Sequence, residues 1–150
     1  MKLGHIWACV GKGLLAGLAG TAAMTISSTI EAKASGRGAS TTPAQAAERV
    51  LRVKPEDEKA EKRLNNLVHW AYGTGWGSVR GLLGAAGVPG PAAALGHLAT
   101  IWGAEQVVLP AIGVSSPAWR WSAKQVATDS IHHLVYATTT SAAYAALERW

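Results

Sequence analysis

Six residues of types that do acid–base or metal chemistry recur in this chain at matched positions: Glu31 and Glu105, Asn65 and Asp129, His69 and His133. Each glutamate is followed at the same spacing by a small-small-proline-alanine turn, Thr41-Thr42-Pro43-Ala44 after the first and Ser115-Ser116-Pro117-Ala118 after the second. Each histidine lies four residues after its Asx and three before a tyrosine, Tyr72 or Tyr136. On a helix, residues at i and i+4 share a face, so Asx, His and Tyr would line one side. Glutamate paired with histidine can take up and pass a proton. With Asp129 added, carboxylates and imidazole from different helices also suit a divalent metal. A third chemistry is haem held between His69 and His133, with Gly73 leaving room for the ring; it would leave both glutamates unexplained. The plain alternative is structural: the glutamates pair with Lys33 or Arg120 at an interface, and the histidines bridge helices through Tyr72 and Tyr136.

The elements that must position these groups come from an internal duplication, which fixes architecture when present. Apolar, Gly- and Ala-rich stretches cover residues 10–30, 67–88, 92–114 and 131–147. Each is close to the ~20 residues a helix needs to cross ~30 Å of hydrocarbon. Only 15% of residues are charged, below the usual quarter or so of a soluble domain. Phe is absent, whereas 17 glycines sit largely inside apolar stretches, where a soluble helix would be weakened by each. Small residues are the natural contacts between membrane helices, and the seven tryptophans suit the hydrocarbon–water boundary. The expectation is an all-α integral membrane four-helix bundle built from two tandem two-helix repeats. Residues 1–150 form a single membrane domain, with repeat 1 over about 10–88, repeat 2 over about 91–148 and a charged connection over about 33–64. A soluble Ala-rich bundle, or a signal peptide cleaved after Ala32-Lys33-Ala34, are the competing readings of the same composition.

Basic residues set the orientation. Lys33, Arg37, Arg49, Arg52, Lys54, Lys59, Lys62 and Arg63 crowd the first connection, and Arg120 and Lys124 the later one, against Lys2, Lys12 and Arg149 on the other side. The positive-inside rule then puts both connections in the cytoplasm. The net charge of +5 needs no nucleic acid to explain it. In the first connection Thr42 is positioned to cap a short helix with Pro43 at its start, carrying Ala47, Val50 and Leu51 along the membrane surface. Pro55-Glu56-Asp57-Glu58 then opens a helix that runs on through the second apolar stretch, and Val88-Pro89-Gly90-Pro91 makes a tight turn. Arg80 and His97 have no counterpart in the other repeat; Arg80 is expected to snorkel toward the outer face and His97 to pack. Cys9, the one cysteine, excludes an internal disulfide.

Trp102-Gly103-Ala104-Glu105 with Leu109-Pro110, and the His133-x-x-Tyr136 opening of the last stretch, resemble motifs of the YagU-like bacterial inner-membrane proteins. That resemblance implies a multi-pass protein of the inner membrane and singles out Glu105, with Trp102 in support; it implies no reaction. No phosphate-binding loop or nucleophile elbow is present, so a non-enzymatic role is expected. Three functions follow: a polar Glu/His layer that binds or relays protons or ions; a metal- or haem-binding membrane module; or a structural or accessory subunit of a larger membrane complex. The expected partners are the lipid bilayer and further copies of the chain or other membrane subunits.

Overall fold

The computed structural model describes residues 2–149, and every regular element among them is helical. Five α-helices follow one another: α1 (Leu3–Ser35), α2 (Thr42–Leu51), α3 (Glu58–Ala85), α4 (Gly90–Ala111) and α5 (Ala123–Glu148), with a single 3-10 turn at Ala118–Arg120 before α5. The four apolar stretches lie in α1, α3, α4 and α5. One of these helices, α1, is long and apolar enough to cross a membrane by its own composition, with a mean hydropathy of 1.4 over its best window.

Local chemistry explains the boundaries. Gly36 ends α1 in the left-handed region (φ 67°), and the reversed chain returns Arg37 N–H to the Ala32 carbonyl at 2.9 Å. At the start of α2 the cap falls one residue earlier than expected, at Thr41, with no side-chain bond to the helix end; Thr42 and Pro43 are already helical. Asp57 caps α3 by accepting the Ala60 N–H at 2.7 Å, and α3 then runs without a break to Ala85, as the sequence predicts. Gly87 (φ 72°) and Pro89 turn the chain into α4, and a Ser122/Gln125 capping box opens α5.

The helix α2 lies on α3 through Ala44 and Ala47, both buried, while Val50 and Leu51 stay exposed. Asn65 makes this docking possible. Its Oδ1 accepts the Ala44 N–H and its Nδ2 donates to the Ser40 carbonyl, each at 3.1 Å. Asn65→Ala should therefore loosen the connection alone, by about 1–2 kcal/mol for two lost bonds. Hydrogen exchange should accelerate across residues 40–51 and stay unchanged in α5.

The bundle is held by backbones that approach closely. Gly13 and Gly17 of α1 face Gly77 and Gly81 of the antiparallel α3, and Thr21 fills the space over Gly73. The other side of α1 meets α5, where Gly20 lies under Tyr136 and Thr140. The fourth long helix, α4, is the loosest, resting on α5 and α3 through Ala93, His97 and Ile101. The interior is consequently mostly small and polar, with glycine, alanine, Thr21, Arg80, His97, His132, His133, Tyr136, Thr140 and Tyr144, and one apolar cluster in which Met24, Trp76 and Leu98 pack against Ile101. The large aliphatic side chains Leu15, Leu18, Ile26, Leu67, Leu82, Leu95, Val107 and Ile131 face outward.

Candidate cation site

Helix α5 presents Asp129, His132 and His133 near its start. Neighbouring residues on an α-helix project about 100° apart, and the two histidines part accordingly. His133 turns to α4, where its Nε2 lies 2.6 Å from Glu105 Oε2. His132 turns to α1, with Nδ1 2.9 Å from Ser27 Oγ and Nε2 3.9 Å from Glu31 Oε2. The histidine that faces Glu31 is thus His132, which the repeat pattern passes over because Val68 stands at the matching position.

The second half of the polar layer is compact. His133 Nδ1 donates to the Asp129 carbonyl at 2.9 Å, which fixes the ring and leaves Nε2 as the atom that meets Glu105. At 2.6 Å the imidazole and carboxylate are in direct polar contact. Asp129 Oδ2 accepts the indole N–H of Trp102 at 2.8 Å and lies 3.6 Å from His133 Nδ1. Donor atoms of Glu105, Asp129 and His133 all fall within 4.8 Å of one another. The two carboxylates are partly exposed, at 19% and 25%, so an ion has access, and no lysine or arginine among the described residues pairs with either. A groove of about 390 Å³ lined by Leu95, Leu98, Ala99, Trp102 and Ser130 opens alongside.

The first half does not match it. Glu31 is bound by the returning Arg37, with Nη2 at 2.5 Å and Nε at 3.2 Å, so its charge is already matched. His69 is not brought to a glutamate. Its Nε2 lies 2.9 Å from Thr25 Oγ1, and that hydroxyl spends its only proton on the Thr21 carbonyl, so His69 is the donor. Asn65 holds the α2 connection, and Tyr72 is half exposed with its ring edge on Trp76. Tyr136 is buried, and its hydroxyl donates to the Gly73 carbonyl at 2.5 Å. Haem does not fit these residues. His69 and His133 are committed to different neighbours, and the space over Gly73 is taken by Thr21 and Tyr136.

A divalent ion fits the second half better. Metal-bound histidine characteristically donates its other N–H to a carbonyl or carboxylate, and bound carboxylates are themselves hydrogen-bonded. The Asp129 carbonyl and the Trp102 indole supply both supports here. One imidazole nitrogen with two carboxylate oxygens suits zinc- or manganese-type ions and leaves coordination positions open. The chain matches no protein-family model, no curated protein and no solved structure.

Proposed function

We propose that this chain is a small, non-enzymatic integral membrane protein that binds one divalent metal ion through Glu105, Asp129 and His133. The observation that carries the site is the convergence of these three donors from two helices with both supporting hydrogen bonds in place. The bilayer reading rests on the inverted distribution of side chains, with large aliphatics outward and small or polar residues within, which suits hydrocarbon surroundings. Helices α1, α3, α4 and α5 would span as two tandem hairpins. In support, α1 and α4 each touch both α3 and α5, the neighbours that two tandem hairpins give, although α1 packs far more closely than α4. Basic connections and the YagU-like motif favour a bacterial inner membrane, with the metal site toward the cytoplasm.

Metal is favoured over a proton relay through paired halves because Arg37 already neutralises Glu31, leaving one half of the layer without a free carboxylate. Imidazole and carboxylate bind a metal only when deprotonated, so affinity should fall as pH falls. Calorimetric titration of detergent-purified protein with zinc or manganese tests the reading. Saturable binding that weakens at least about tenfold in Glu105→Gln is expected; no heat of binding in the unaltered protein would refute it.

A further inference from the structure

A second charged group lies deep in the bundle with no counter-charge. Arg80 of α3 is 2% exposed, and a guanidinium stays protonated in a protein. Its Nε donates to Ser141 Oγ at 3.3 Å, and its centre stacks 4.2 Å over the Tyr144 ring. Its Nη1 is buried without a hydrogen-bond partner, and so is the hydroxyl of the fully buried Tyr144. Among the described residues no carboxylate comes within ion-pair distance of it. Rather than snorkelling outward, Arg80 faces α5.

An unpaired charge taken out of water is strongly unfavourable, and a buried polar group without a partner adds to that cost. The guanidinium N–H and the phenol O–H of Tyr144 are donors, the hydroxyl of Ser141 accepts from Arg80, and the Cys9 thiol beside the Tyr144 hydroxyl is only a weak acceptor. Such a set repels cations and offers nothing to a neutral acceptor-poor ligand; it selects an anion. Gly84 of α3 lies directly against the Tyr144 hydroxyl, so the two helices leave little space at this level and a large anion would not fit. The site is separate from the metal cluster, because Ser141 stands twelve residues along α5 from Asp129, roughly 18 Å at 1.5 Å per residue.

We infer that Arg80, Tyr144 and Ser141 bind a small monovalent inorganic anion of the halide class between α3 and α5. This does not depend on the metal reading. The test is thermal unfolding of the detergent-purified full chain in sodium chloride against sodium gluconate at equal ionic strength and pH. Chloride should raise the midpoint saturably, by at least about 3 °C, because a ligand held only by the folded state stabilises it. Arg80→Gln should abolish the difference. If that variant does not fold, Tyr144→Phe keeps the ring under the guanidinium and should shift half-saturation at least about fivefold higher through the lost hydroxyl. Equal midpoints in chloride and gluconate, or a chloride effect of undiminished affinity in Tyr144→Phe, would overturn the inference.

Discussion

Gly77→Leu should leave little or no folded protein. A Cβ built at residue 77 meets Gly17 Cα at 2.7 Å and Gly17 N at 2.8 Å. Those neighbours are backbone, so no rotamer change can make room. The helices α1 and α3 would have to part along the whole seam, drawing Thr21 away from Gly73 and Thr25 away from His69. Overpacking typically costs about 1–3 kcal/mol when side chains can yield; here backbones must, so more than about 3 kcal/mol is expected. That is a large share of the stability of an ordinary domain. Gly75→Ala is the matched control, since nothing lies within 4 Å of its Cβ position. It should be neutral or more stable by up to about 1 kcal/mol through helix propensity. Size-exclusion profiles of detergent extracts, followed by thermal unfolding, separate the two. A wild-type profile for Gly77→Leu would mean that the α1–α3 seam is not built as described.

His133→Ala should lower metal affinity by at least about 100-fold. It removes the only nitrogen donor and leaves Glu105 and Asp129 as two neighbouring carboxylates without the imidazole between them. The comparison that gives this meaning is His69→Ala together with Glu31→Gln. His69 bonds Thr25 and Glu31 bonds Arg37, so both changes should leave affinity within about threefold. Zinc competition with a chromophoric chelator reads all three variants. Equal losses in His69→Ala and His133→Ala would instead point to a site spanning both halves of the layer.

Much of the helix layout can be read in the amino acids, because punctuation here is local. Pro89 and Gly90 break the chain between α3 and α4, Asp57 opens α3, and glycines at four-residue spacing mark the packed seam. Glu105, Asp129, His133 and Trp102 are also legible: the i and i+4 spacing sets Asp129 with His133, and chain reversal between α4 and α5 brings Glu105 to the same level. The mirror-image site in the first half is not formed, for reasons a spacing pattern does not carry. The longer first connection folds into α2 and takes Asn65 as its anchor. The left-handed turn at Gly36 returns Arg37 to Glu31. His132 escapes because it has no equivalent in the other repeat and matters only once α1 is seated against α5. Arg80 likewise reads as a surface cation, since burial without a counter-charge is decided by packing.

Elemental analysis of protein purified gently, without chelator, and then equilibrated with zinc or manganese tests the cation site most directly, with His133→Ala prepared in parallel. One ion per chain in the unaltered protein and none in the variant is the expected result. A metal-free unaltered protein, or metal retained undiminished by His133→Ala, would contradict the assignment of Glu105, Asp129 and His133 as its ligands.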